Sequence, residues 1–338
     1  MSENVNPTNT KPTTEVGEPV PGFPIKFEWQ TGIWREIFDK HVDFIQQDIL
    51  RALAAERLVV YLSCPISSRG GSIDLTNVEI ADYTARRLVA EWGTRFWFLN
   101  PGQYQLESKQ GTGLIYRHAY LIGLEKGIKI DVDELKKKSP PTGGDYMRMW
   151  TRVLVEDGTA KPLGSRFSAY YFIGPSDYRQ FFTQGGLPLT AGIEEYFGRK
   201  YATDREFNTY FSPPFVDDKG NPLDEKLEWE RRRREFVRYY AVKAGAYFSK
   251  GSHDEWNIWF NLNKLRLGDK SLGVGNQIPG FFEGRQVDPG AAEQSISPGY
   301  ASQPKIENII PPVSESSSAS KAIESLATQT ADAKVASE

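Results

Sequence analysis

The residues Ser67-Ser68-Arg69-Gly70-Gly71-Ser72 put three hydroxyls, a guanidinium and two adjacent glycines into one short stretch. Hydroxyls and a guanidinium fork bind anionic oxygen, and paired glycines let the backbone come close to it, so this composition suits a phosphate or a ribose. The apolar run Leu58-Val59-Val60-Tyr61-Leu62 leads into it through Ser63, Cys64 and Pro65. It reads as a buried strand whose carboxyl end opens into the loop, the place where α/β sheets collect ligands. A phosphate held there would also meet amide groups at the start of the next helix. The plain alternative is a tight strand-to-helix turn carrying a surface arginine. The loop has neither the lysine and spacing of a P-loop nor a Gly-x-Gly-x-x-Gly fingerprint. Triphosphate hydrolysis and nicotinamide chemistry are therefore disfavoured, and no cofactor is expected.

Three carboxylates stand where they could serve such a pocket. Glu194 follows Gly192-Ile193 at the opening of an expected helix. There Gly192 would let a sugar approach, and Glu194 would bond to an anomeric carbon or stabilise its positive charge. It could equally be a first-turn acid favoured by the helix dipole, and the adjacent Glu195 is an alternative. Asp177 follows Gly174-Pro175-Ser176 and reads either as a sugar or base contact or as a turn residue. Asp145, after Gly143-Gly144, reads either as a ligand contact or as a helix cap. The lone cysteine, Cys64, reads as buried and inert. The three histidines, His41, His118 and His253, form no metal-ligand motif, so no metal is expected.

The elements that must position these residues alternate between helix and strand. Residues 34–56 carry Ile37, Val42, Ile45, Ile49 and Leu53 at helical intervals, ahead of the strand at 58–62. Residues 76–92 read as a helix ended by Gly93, and residues 94–99 as a second strand. That order is a βαβ unit. A helix over 145–156, a third strand over 170–173 and a helix from 190 follow. The ends of the first and third strands are expected to meet on one rim. Residues 224–248 read as a charged helix whose run Arg231 to Arg234 is a solvated face neutralised by Glu228, Glu230 and Glu235. Residues 256–267 read as a further packed helix.

The fold class expected is α/β: a flavodoxin-like or Rossmann-like parallel sheet with flanking helices and a helical, aromatic-rich C-terminal extension. The expected divisions are a disordered segment at 1–24, a nucleotide-binding, catalytic-like domain at 25–210, the extension at 211–283 and a flexible tail at 284–338. The chain has 338 residues, 25% of them charged, with a formal net charge of -3. The slightly acidic balance argues against nucleic acid as a partner. No apolar run suits a membrane span, and the cytoplasm is the default location.

The segment Tyr61-Leu62-Ser63-Cys64-Pro65-Ile66 with Arg69-Gly70-Gly71 resembles the first strand and phosphate loop of the nucleoside 2-deoxyribosyltransferase superfamily. The likeness is nearest to the superfamily's nucleoside 5'-monophosphate N-glycosidase branch. Asp145-Tyr146-Met147-Arg148-Met149-Trp150 is similar to that superfamily's acidic, tryptophan-bearing helix, and Gly192-Ile193-Glu194-Glu195 to the start of the helix with its catalytic glutamate. Met147 stands where family members commonly have an aspartate, and residues 178–184 form an aromatic insertion. The resemblance implies a nucleoside or nucleotide substrate and a glycosidic bond cleaved or exchanged with Glu194 at the anomeric carbon. Asp177 and Asp145 would assist, and Ser63, Ser67, Ser68, Arg69, Gly70, Gly71, Ser72 and Gly192 would line the pocket. Water and a second base are both open as the acceptor. Two other readings stay open, a nucleotide-binding or sensing module without chemistry and a structural assembly protein, and either could form a homo-oligomer.

Overall fold

A computed structural model describes residues 13–64, 71–106, 109–245, 250–272, 276–288 and 300–301. The chain divides into the units Met1–Ser302 and Gln303–Glu338, and all described residues belong to the first. Ser67, Ser68, Arg69 and Gly70 lie outside the described residues.

The chain is a mixed α/β structure built on a mostly parallel sheet. A short antiparallel pair comes first, β1 (Thr14–Gly17) with β2 (Phe27–Gln30). Then follow α1 (Ile33–Ala54), β3 (Leu58–Ser63), α2 (Asp74–Trp92) and β4 (Phe96–Leu99). The helices α3 (Lys109–Lys126), α4 (Val132–Lys138) and α5 (Gly143–Val155) lead to β5 (Ala169–Phe172). Beyond it lie α6 (Pro175–Phe182), α7 (Leu189–Thr203), α8 (Arg205–Thr209), α9 (Glu225–Lys243) and α10 (Lys250–Gly268). The last strands are β6 (Gly280–Phe282) and β7 (Arg285–Val287).

The sheet runs β4-β3-β5-β6-β7, with only β7 antiparallel. Numbered from its own first strand this is the order 2-1-3-4-5 of flavodoxin-like sheets, whose direction of winding reverses between β3 and β5. Alternation along the strands divides the core. Val59, Tyr61, Tyr170 and Phe172 face one apolar layer with residues of α1, α3, α5 and α10. Val60, Leu62, Ala169 and Tyr171 face a second layer with residues of α2, α6, α7 and α9. Both faces of the sheet are covered, which is why its strands read as unbroken apolar runs.

Three features depart from expectation. Residues 14–17 are a strand, and Val20 and Phe23 are buried, so the stretch before residue 25 is not loose throughout. The aromatic insertion is the helix α6, started by Pro175 and burying Tyr178 and Phe182. Strands β6 and β7 lie in segments read as helical extension and tail. Gly280 explains why so short a strand can sit there, because a Cβ at that position would run into the Trp259 ring.

Gly144 faces the same limit on α5, where a Cβ would collide with the Glu28 carbonyl oxygen. That contact is to backbone and cannot swing aside. Gly144→Ala is expected to lower unfolding stability by ~2 kcal/mol, read from urea denaturation. An unchanged midpoint would mean that β2 can move away from α5.

Candidate functional site

Burial and saturated hydrogen bonding separate the candidate carboxylates. Glu194 lies on the outer face of α7, about half exposed at 48%, and its Oε1 accepts a hydrogen bond from Arg233 Nη2 at 3.3 Å. It therefore does not sit in an enclosed pocket as expected. Gly192 does not open a path for a sugar either, since a Cβ there would meet the Phe182 carbonyl oxygen. Its lack of a side chain lets α7 close on α6. The arginine run is largely neutralised as its composition suggested: Arg231 pairs with Glu228 and Glu235, and Arg232 with Glu228.

Asp177 is buried, more deeply than a simple turn residue, and its bonds are internal. Its Oδ1 accepts from Arg87 Nη2 at 2.6 Å and Tyr171 OH at 2.9 Å, and its Oδ2 accepts from the Gly174 amide at 2.9 Å. Burial pushes its carboxyl above the usual range, against those three donors. Asp145 closes a capping box with Thr142 at the start of α5. It also accepts from the Gln30 amide at 2.7 Å, which ties β2 to that helix. Asp145 thus follows the capping alternative, while Asp177, expected as a ligand contact or a turn residue, holds the Gly174 amide at the start of α6.

The parts of the anion loop that are described are also engaged. Gly71 has φ +95°, and a Cβ there would lie 2.5 Å from the Glu235 carbonyl oxygen, so this glycine serves the packing of α9. Ser72 Oγ accepts from Asn77 Nδ2 at 2.7 Å. The Ile73 amide, at the mouth of α2, donates to the Tyr240 hydroxyl at 3.1 Å. At the opening of α6, Glu283 Oε1 accepts from the Ser176 amide at 2.6 Å.

Parallel pairing does bring the β3 and β5 ends together, with Ser63 opposite Phe172 and Tyr61 opposite Tyr170. The group that fills this rim is one the sequence reading did not single out, Glu255 on α10. Tyr61 OH donates to its Oε1 at 2.8 Å, and Ser63 Oγ donates to its Oε2. Glu255 is only 5% exposed, and Tyr170, whose hydroxyl has no hydrogen-bond partner, is fully buried beside it. Loss of water around the carboxyl raises its pKa to about 8, and the nearby Asp254 adds to this, while the Ser63 and Tyr61 bonds oppose it. Burial with the Glu255 charge likewise pushes the Tyr61 phenol and the Cys64 thiol upward. Cys64 is accordingly a poor nucleophile.

One signal could have found Glu255. Ile258, Trp259 and Leu262 form the buried stripe of α10, and position 255 is in phase with it, three, four and seven residues earlier. A carboxyl in phase with an apolar stripe must be paired or neutral.

Comparison with known proteins gives no family to lean on. The chain matches no family model, no curated protein and no solved structure. Among the described residues, no group of three or more histidine, cysteine, aspartate or glutamate side chains could hold a metal ion, and no helix is long and apolar enough to cross a membrane. An open cleft lined by Tyr201, Asp204, Arg205, Asn208 and Ser212 lies on α7 and α8 and contains none of the rim residues.

Two outcomes follow from this geometry. The native state holds a proton on Glu255 that the unfolded chain gives up near the ordinary value of 4.5, so its contribution to stability is full below that value and is lost as pH rises through about 8. Thermal unfolding across this window should show wild type losing stability relative to Glu255→Gln at up to ~1.4 kcal/mol per pH unit; parallel curves would contradict a buried neutral acid. Asp145→Ala should cost about 3 kcal/mol through the lost cap and the orphaned Gln30 amide, whereas Glu194→Gln should stay within about 0.5 kcal/mol, both read by urea denaturation.

Proposed function

We propose that the chain cleaves or exchanges the N-glycosidic bond of a nucleoside or nucleoside 5'-monophosphate, with Glu255 rather than Glu194 as the working carboxyl. The observation that carries this is a single buried carboxyl that accepts from Tyr61 and Ser63 at the carboxyl ends of the two strands between which the sheet reverses. Ligands of open α/β sheets bind at that place, and a carboxyl with a pKa near working pH suits general acid catalysis.

The chemistry needs a proton on the departing base and negative charge near the sugar as it becomes an oxocarbenium ion. Glu255 can supply both in sequence. Its proton goes to a base nitrogen as the C–N bond breaks and the bonding pair leaves with the base. The carboxylate left behind faces the cationic sugar. Water then adds to the anomeric carbon and returns a proton to Glu255, or a second base adds in its place. Tyr61 and Ser63 donate to the carboxyl oxygens and favour the charged form once the proton has gone. The net reaction is that of the nucleoside 2-deoxyribosyltransferase superfamily, which the Tyr61 to Gly71 segment resembles, while the proton-donor role given to Glu255 differs from the anomeric glutamate that the resemblance implies.

The test is incubation of the purified protein with nucleosides and their 5'-monophosphates, with free bases separated chromatographically. Wild type should release base, Glu255→Gln should lower the rate by about a hundredfold or more, and Glu194→Gln should leave it unchanged. The rate should fall as pH passes about 8, where Glu255 loses its proton. Release that survives Glu255→Gln removes Glu255 from the mechanism. Calorimetric binding of a nucleotide without any base release would favour the sensing module instead.

A further inference from the structure

Helix α3 buries Ile115, His118, Ala119 and Ile122 and leaves a second apolar stripe facing outward. Tyr116 is 40% exposed, Tyr120 66%, Leu121 38% and Leu124 63%, and Ile128 just beyond the helix is 46% exposed. The spacing of four places Tyr116, Tyr120 and Leu124 on one line along the helix, so these side chains form a contiguous patch. Scattered surface hydrophobes need no explanation, but a continuous stripe of this size marks an interaction surface.

The charges beside the stripe indicate what covers it. Arg117 and Glu125 lie four residues before and four residues after Leu121, on the same line along the helix as that leucine, and both are exposed. Glu125 spends one oxygen on Lys40, at 2.6 Å, and its side chain stays 59% exposed. If two α3 helices pack antiparallel about a twofold axis at Leu121, each Arg117 comes to the Glu125 of the other copy, and Tyr120 and Leu124 interleave across the axis. A twofold interface must be complementary to itself, and this arrangement of opposite charges about one central leucine has that property. We infer that α3 is the dimerisation face of this protein, with a second copy of the chain as its occupant. A dimer held through one face of one helix is expected to be weak and concentration-dependent.

Sedimentation velocity of the full chain over a range of concentrations tests this, with far-UV circular dichroism and thermal unfolding confirming that each variant is folded. Wild type should pass from monomer to dimer. Tyr120→Glu and Leu124→Glu should each raise the dissociation constant by about tenfold or more. Arg117→Glu alone should raise it about threefold, and the swap Arg117→Glu with Glu125→Arg should bring it back to the wild-type value. A chain that stays monomeric at every concentration overturns the inference, as does a dimer indifferent to Tyr120→Glu. A dimer sensitive to Tyr120→Glu but indifferent to both charge variants overturns the antiparallel arrangement. Flotation with phosphatidylcholine vesicles that Leu124→Glu abolishes, in a chain that does not dimerise, would assign the stripe to a lipid surface instead.

Discussion

Strand β3 is hydrogen-bonded to β4 on one edge and β5 on the other, and helices cover both of its faces. From Val59 onward the strand is buried, so the polar groups it carries have to be satisfied by protein. Most of the strand meets this by being apolar. Tyr61 and Ser63 are the exceptions, both pointing to the same face near the carboxyl end, and their hydroxyls require an acceptor. Glu255 provides it from a helix almost two hundred residues away, through two bonds to one carboxyl. The arrangement then constrains the carboxyl in turn, because a group so enclosed holds its proton up to about pH 8.

The same demand for satisfaction explains the fate of the other acids. Asp145 and Asp177 each lie in the first turn of a helix, and each accepts from a backbone amide and from neighbouring side chains. Glu194, fully solvated on one side and paired with Arg233, is under no such pressure. Position relative to the sheet, more than residue type, separates a carboxyl whose chemistry is altered from three that cap, staple or solvate.

Much of the fold was legible because its signals are local. The apolar runs at 58–62 and 170–173 give strands, and the stripe of Ile37, Val42, Ile45 and Ile49 gives α1. The strand–helix–strand order then leaves few ways to wind a parallel sheet. The elements missed are those with weak local signals. Strands β6 and β7 are three residues each, and β6 exists because Tyr170 donates its amide to Pro279 and Gly280 makes room for Trp259. Helix α6 opens on Gly-Pro-Ser-Asp, which is ordinary turn composition, and is held by Asp177 reaching Arg87 on α2.

By itself, the sequence determined that an apolar strand would run into a stretch of hydroxyls and glycines, since periodicity and loop composition act over a few residues. It could not determine which carboxylate would face the end of that strand. Gly192-Ile193-Glu194 has the more suggestive local pattern, yet the Glu194 side chain lies on an outer helix surface. Glu255 stands just before the segment 256–267 that reads as a packed helix, yet tertiary folding places its carboxyl at the end of β3. The physical reason is that a carboxyl's chemistry is set by the water it loses and the donors it gains, and both are supplied by segments distant in sequence.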